Sequence, residues 1–189
     1  HDPDSTDPST PVDVDLRHPG IAAILAWLWP GAGHLYQRRY GKALLFMTCI
    51  MGLYVWGLAI GDGQVVYAAF PNTDGGIMQA LRSQEMRYPF FLQMGVGLPV
   101  FPALVQAYRV SHDLPPLFGN EFLAPPRGPI QEQRHDALAM RHEKLKSFFE
   151  LGTLFTMIAG ILNVFAIYDA RYGPAYPPPT ASAQPPTRK

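Results

Sequence analysis

The side chains best suited to chemistry in this sequence are gathered in one short basic segment. His34, Arg38, Arg39 and Lys42 fall between positions 29 and 42, a stretch that contains no acidic residue. Clustered guanidinium and ammonium groups can bind the phosphate of a lipid head group. Alternatively, His34 hydrogen-bonds a backbone carbonyl and these residues structure a tight turn. The segment therefore predicts a lipid head-group site or a turn-structuring role.

Two nucleotide-binding fingerprints begin in this segment, and both are incomplete. Gly31 and Gly33 would start a dinucleotide-binding motif, but position 36, where its third glycine belongs, holds Tyr36. Lys42 is followed by Ala43 and not by the serine or threonine that a Walker motif requires. We therefore expect no nucleotide and no other cofactor.

The remaining histidines and the single cysteine do not form a metal-binding pattern. His135 and His142 are seven residues apart, with Glu132 before them. Metal-binding histidine pairs on a helix are typically four residues apart, as in HExxH, so a solvated polar face is the expected explanation. Cys49 cannot form an intramolecular disulfide because it has no partner in the chain. We predict no metal site.

A catalytic constellation is not recognisable either. No Ser/His/Asp set, no Cys/His set and no pair of buried carboxylates can be assembled from the sequence. An enzyme would have to rely on Glu150, His34 or Asp169. The formal net charge is zero, whereas a nucleic-acid-binding protein usually presents a basic face. We predict a non-enzymatic protein with no nucleic-acid partner.

Long apolar blocks must position these side chains. Residues 43–60 include no charged residue over eighteen positions, which is typical of a transmembrane helix. The four blocks are 21–36, 43–60, 88–108 and 148–168. The predicted fold class is all-α, an integral membrane helical bundle of about four transmembrane helices.

The domain organisation follows from these blocks. Residues 1–20 form an acidic tail rich in Asp, Pro, Ser and Thr, and residues 170–189 form a Pro-rich tail; both are predicted to be disordered. The membrane domain comprises residues 21–169. Residues 130–146 are polar and helix-favouring, and they predict a cytoplasmic helical extension.

Two of the four blocks contain helix breakers. The first has only sixteen residues, about 24 Å of helix against a hydrocarbon core of about 30 Å, and it contains Pro30. It is either a short span or half of a tight hairpin. The third contains Gly95, Gly97, Pro99 and Pro102, so it is either a kinked packing helix or a broken helix that lines a cavity.

The distribution of Lys and Arg predicts the orientation. With four spans, nine of these residues lie in the two loops placed inside and six lie outside. This bias favours both termini outside. If the first block is only a half-span, the N-terminus moves inside.

Small and amide residues mark the expected helix contacts. Gly57 and Gly61 form a small-xxx-small pair that lets another helix approach closely. In the fourth block, Gly160 is a further packing position and Asn163 is expected to form an interhelical hydrogen bond.

The basic segment resembles the two-transmembrane-helix domain family, which has a glycine-rich turn, a histidine, an aromatic residue and a basic-glycine pair before an apolar helix. The matching positions are Gly31, Gly33, His34, Tyr36, Arg39, Gly41 and Lys42. Residues 18–174 are also similar to a bacterial family of uncharacterised multi-pass membrane proteins, through residues 93–99 and 150–169. This second resemblance implies a membrane location and four helices, and it implies no activity, substrate or cofactor.

The sequence therefore predicts a multi-pass protein of the bacterial inner membrane that acts through helix packing or lipid contact. Its expected partners are the lipid bilayer and a homo- or hetero-oligomer formed through transmembrane helices. The alternative is a small transporter or lipid-handling protein with a cavity around the broken third helix.

Overall fold

A computed structural model describes most of the predicted membrane domain. The described residues are 18–68, 88–112, 114–115, 117–118, 122–126, 139–140, 143, 145 and 147–173. Most of the two tails, most of the predicted extension 130–146, and the polar face of Glu132, His135 and His142 lie outside them. The predictions for those segments stay predictions.

The described residues form helices joined by turns and irregular segments, with no strand among them, which confirms the all-α prediction for this part of the chain. The helices are α1 (Pro19–Leu28), α2 (Ala32–Tyr36), α3 (Tyr40–Ile60), α4 (Tyr88–Gln93), α5 (Phe101–Ser111) and α6 (Ser147–Tyr172). Two 3₁₀ turns, Met94–Val96 and Leu98–Val100, join α4 to α5. Only α3 and α6, among the described helices, are long and apolar enough to cross a membrane.

Helices α3 and α6 lie antiparallel and form the centre of the fold. Lys42, in the first turn of α3, contacts Asp169 in the last turn of α6. Near the other ends of these helices, Gly57 packs directly against Gly152. We call the Lys42–Asp169 end the basic end and the Gly57–Gly152 end the far end.

The first predicted block forms a helical hairpin and not one spanning helix. The chain leaves helical geometry at Trp29, and Pro30 and Gly31 follow, with Gly31 at a φ of +84°. Such a φ is left-handed, and glycine adopts it readily because it lacks a Cβ. α2 then folds back on α1, since a Cβ on Gly33 would overlap the carbonyl of Ala22. Helix α1 has ten residues, which reach only about 15 Å.

The third predicted block, 88–108, is likewise broken and not one continuous helix. Gln93 lies opposite Thr156, and a Cβ on Gly95 would lie 2.5 Å from the carbonyl oxygen of Gly160. This segment therefore runs from the far end towards the middle of α6. Gly97 has a φ of +87°, and α5 then returns to the far end, where Gln106 binds the carbonyl of Phe122. The breakers in this block thus produce a second hairpin.

The two hairpins enter from opposite ends and meet beside the middle of α6. Gly97 packs so closely against the backbone of Trp27 that a Cβ there would overlap the Trp27 carbonyl. The rings of Trp27 and Phe101 are in edge contact with centroids 6.2 Å apart. We call this contact the hairpin junction; it consists of the α1 end, the Gly95–Gly97 turn and Asn163. Both hairpins end at this junction, whereas α3 and α6 continue from the basic end to the far end.

Candidate functional site

The basic segment and the end of α6 together form a charged cluster. α2 directs His34 towards α6, the turn after α2 carries Arg39, and the first turn of α3 carries Lys42. All three side chains converge on Asp169. We call these four residues the basic cluster.

The carboxylate of Asp169 receives a hydrogen bond or ion pair from each of the three. His34 Nε2 lies 2.8 Å from Oδ2, Arg39 Nη2 lies 3.2 Å from Oδ2, and Lys42 Nζ lies 3.0 Å from both carboxylate oxygens. A carboxylate in the last helical turn is disfavoured by the partial negative charge of that helix end. The three donors offset this, so the cluster fastens the end of α6 to the segment between α2 and α3.

Gln37 adds a neutral contact to the same junction. Its Nε2 donates to the backbone carbonyl of Ala170 at 2.6 Å, and its Oε1 accepts from Arg39 Nη1 at 3.4 Å. The last carbonyls of a helix have no intrahelical donor. Gln37 therefore supplies one for α6 while it helps to orient Arg39.

His34 is the most enclosed member of the cluster. It is fully buried, and its ring packs against Phe46 with centroids 4.7 Å apart. Because a carboxylate only accepts, the Nε2 that faces Asp169 is assigned the proton. Burial lowers the pKa of His34, and the nearby positive charges of Arg39 and Lys42 act in the same direction, while the contact with Asp169 opposes them. His34 is therefore neutral at pH 7.

This environment predicts that acid destabilises the protein through His34. The unfolded histidine has a pKa of 6.5, and the folded one has a lower pKa. Below 6.5 the unfolded state binds a proton that the folded state does not, so the free energy of unfolding falls as the pH falls. We expect His34→Gln, whose amide can still donate to Asp169, to reduce this dependence between about pH 7.5 and 5.5. Denaturant titrations of both proteins across that range measure it; equal slopes would contradict the prediction.

Three of the four residues that the sequence grouped in the basic segment contact Asp169, and the fourth, Arg38, does not. Arg38 is exposed and has a positive φ of 60°, and it is not among the side chains that contact Asp169. The sequence offers Asp169 only as one of three catalytic candidates, and it does not predict that this carboxylate is the shared anion. A signal existed, because the three basic side chains have no acidic partner within their own segment.

Asn163 occupies the hairpin junction. Its Nδ2 donates to the carbonyl of Ala26 at 3.0 Å and to that of Gly95 at 2.8 Å. One carbonyl belongs to the end of α1 and the other to the turn after α4. A single fully buried amide thus joins both hairpins to α6.

A second buried amide lies nearer the far end. Gln93 Nε2 donates to Thr156 Oγ1 at 2.8 Å and to the carbonyl of Val65 at 3.2 Å. Thr156 in turn donates to a carbonyl of its own helix. Gln93, Thr156 and Asn163 are all fully buried, so the interior beside α6 is polar.

The three glycines chosen from the sequence lie at close contacts, with a backbone carbonyl for Gly57 and Gly160 and with a side chain for Gly61. A Cβ on Gly57 would lie 2.9 Å from the carbonyl oxygen of Gly152. A Cβ on Gly61 would overlap Val65, and one on Gly160 would overlap the carbonyl of Leu92. These contacts are within the chain, between α3, α4, α6 and the segment after α3.

The residues considered for catalysis are not all together. His34 and Asp169 are in contact, but Glu150 lies nineteen positions before Asp169 on the same helix, about 28 Å away at 1.5 Å per residue. Within the described part of the chain, no group of three or more His, Cys, Asp or Glu side chains could hold a metal ion.

Comparison with known proteins identifies one family. A model described as a family of unknown function (DUF6677) matches residues 21–183. No curated protein and no solved structure matches the chain.

Proposed function

The chain belongs to the DUF6677 family of unknown function, and we propose that it is a multi-pass integral membrane protein that acts through helix packing and lipid contact. The observation that supports this most is the distribution of apolar and polar side chains. Large apolar side chains are exposed along the two long helices, among them Leu44 (68%), Trp56 (62%) and Phe165 (65%). The amide side chains of Gln93 and Asn163 are fully buried instead. Such an arrangement suits lipid as the surrounding solvent.

The burial of α3 and α6 argues against two core helices of a water-soluble protein. In an apolar stretch of 18 residues within each helix, only 22% of the residues of α3 and 39% of those of α6 are buried. A core helix would cover most of its apolar surface with other parts of the protein. We propose that lipid covers this surface.

The proposed membrane arrangement has two spans and two half-depth hairpins. α3 and α6 cross the bilayer, and each hairpin enters from one side and returns to it. The segment before α1, the basic segment and the segment after α6 then share one side, with seven Lys and Arg residues against eight on the other. The charge rule therefore favours neither orientation for this arrangement.

The basic cluster supplies the proposed lipid contact. Lys42 is 40% exposed in its side chain, and Arg38 is exposed beside it. Both can reach the phosphate of a head group while Asp169 keeps Arg39 and His34 in place. A catalytic role for the His34–Asp169 pair is disfavoured, because the histidine is fully buried and a substrate must come within hydrogen-bonding distance.

Cys49 offers a direct test of the proposed insertion. It is the single cysteine, it is exposed on the protein surface, and it is the tenth of the twenty-one residues of α3. We expect a polyethylene-glycol maleimide to leave Cys49 unmodified in native membranes and to modify it after SDS, because lipid shields the thiol from the aqueous reagent. A gel shift measures this.

Two control variants carry a cysteine at either end in a Cys49→Ser background. Arg38→Cys lies at the basic end and Asp62→Cys lies at the far end, and both positions are exposed. We expect each to be modified in membranes, from opposite sides of sealed vesicles. Rapid modification of Cys49 in native membranes would overturn the proposal, and modification of both controls from the same side would overturn the two-span arrangement.

The broken hairpins favour a second candidate function, a small transporter or lipid-handling protein. Discontinuous helices that meet near the bilayer midplane often form substrate sites in transporters. Here the hairpin junction lies beside the middle of α6, with Asn163 inside it.

A further inference from the structure

Four buried side chains each contain one polar atom without a hydrogen-bond partner. Among the described residues these atoms are Gln64 Oε1, Gln93 Oε1, Asn163 Oδ1 and His34 Nδ1. The three amide oxygens are acceptors. His34 Nδ1 is also an acceptor, because the ring donates to Asp169 through Nε2. All four unpaired atoms are therefore hydrogen-bond acceptors.

Because all four unpaired atoms are acceptors, only a hydrogen-bond donor can satisfy them. A buried acceptor that has no hydrogen-bond partner destabilises the folded protein, because it loses the hydrogen bonds that it makes with water in the unfolded chain. The Asn163 amide cannot relieve this by flipping, since its Nδ2 already donates to two carbonyls at 3.0 and 2.8 Å. Water is the smallest species that can enter a bundle and donate to such acceptors.

The four acceptors occur in order from one end of the bundle to the other. Gln64 follows the far end of α3, and Gln93 lies opposite Thr156. Asn163 is seven residues further along α6, on the same helix face. His34 follows at the basic end beside Asp169. The acceptors therefore form a row that runs the length of α6.

We propose that this row of acceptors lines a path for water and other small neutral hydrogen-bond donors through the bundle. The proposal rests on the proposed membrane insertion, because a path has a function only where the bundle separates two compartments. Gln93 and Asn163 provide its central acceptors. Gly95 and Gly160 pack in direct contact between them, so the path is closed at that depth, and passage of water requires these two backbones to separate.

The basic cluster makes the path selective for neutral molecules. With His34 neutral, Arg39 and Lys42 outnumber the single negative charge of Asp169 at this end. A net positive charge near a narrow path raises the barrier for cations, whereas the acceptors offer no favourable contact to anions. Water is therefore the appropriate probe, and a monovalent cation is the appropriate counter-probe.

The test uses the purified full-length chain in liposomes. Flotation with the vesicles first establishes insertion, so a failure there counts against the proposed function and not against the path. Stopped-flow light scattering then measures osmotic shrinkage, and quenching of an enclosed dye measures thallium entry. We expect faster water exit than from protein-free vesicles and no faster thallium entry.

Variants connect the water flux to the acceptors. Gln93→Met keeps the length of the side chain without its polar atoms, and we expect it to slow the protein-dependent water flux about fivefold, the rate equivalent of one hydrogen bond. Asn163→Leu should slow it further, and Gln93→Met still decides the question if Asn163→Leu does not fold. Phe165→Leu, an exposed position on α6, is the matched control and should leave the flux unchanged.

Three results would overturn the proposal. They are a water flux equal to that of protein-free vesicles despite flotation, a flux unaffected by Gln93→Met, and thallium entry that accompanies the water flux. The first two exclude the path, and the third excludes its selectivity for neutral molecules.

Discussion

Replacing Gly160 by alanine is expected to destabilise the protein by about 1–3 kcal/mol, the usual cost of overpacking a buried contact. A Cβ at this position would overlap the backbone carbonyl of Leu92. A backbone atom cannot move aside as the end of a flexible side chain can, so α4 must separate from α6. Gly95 packs against Gly160, and its carbonyl accepts a hydrogen bond from Asn163. The separation should therefore also loosen the hairpin junction. Thermal unfolding in detergent, followed by circular dichroism, measures the loss.

The same substitution at Gly52 is the matched control. Gly52 lies within α3, is exposed, and has no atom within 4 Å of the position that a Cβ would occupy. Alanine there should stabilise the helix by about 0.5–1 kcal/mol, because glycine is the poorer helix former. The two variants therefore shift the unfolding temperature in opposite directions. Equal shifts would show that the α4–α6 contact is not as close as described.

Replacing Asp169 by asparagine is expected to have a comparably large effect. Removal of one partner from a fully buried ion pair costs about 3–5 kcal/mol, because the other charge stays buried without compensation. Here the side chains of Asp169 and Lys42 are 20% and 40% exposed, so solvent screens part of the charge and we expect about 1–3 kcal/mol. The variant leaves Arg39 and Lys42 close together without an anion. Thermal unfolding at low and high salt measures the loss, which should be smaller at high salt.

Two further variants separate the role of Asp169 from a general charge effect. Arg38→Gln also changes the charge by one unit, but the side chain is exposed, and a loss below about 0.5 kcal/mol is expected. The double variant Asp169→Asn with Lys42→Met should be less destabilised than the sum of the single variants, since the two groups are in contact. Additive losses would contradict the contact.

The prediction of the two long helices from sequence was close. The block 43–60 corresponds to Tyr40–Ile60, and the block 148–168 corresponds to Ser147–Tyr172. An uninterrupted apolar run is a local property, because every backbone group in such a helix is satisfied within four residues. No distant contact is needed to specify it.

The two broken blocks could be predicted only in part from the local sequence. Pro30, Gly31, Gly95 and Gly97 are recognisable as breakers in the sequence, and half of a tight hairpin is one of the alternatives that it offers for the first block. A breaker shows that a helix ends, but the direction of the chain after it depends on what packs there. The contacts of Gly33 with α1 and of Gly97 with Trp27 turn each segment back.

The sequence by itself determined the helical class, the two long apolar helices, and the identity of the basic and amide residues that now attract interest, because these depend on composition and on spacing within one segment. Only the tertiary structure decided that Asp169 unites His34, Arg39 and Lys42, and that Asn163 holds two hairpins together. Asp169 is 127 residues from Lys42, and Asn163 is 137 residues from Ala26. Contacts over such separations follow from the antiparallel packing of helices, where close glycine contacts and the pairing of buried polar groups select one arrangement among many.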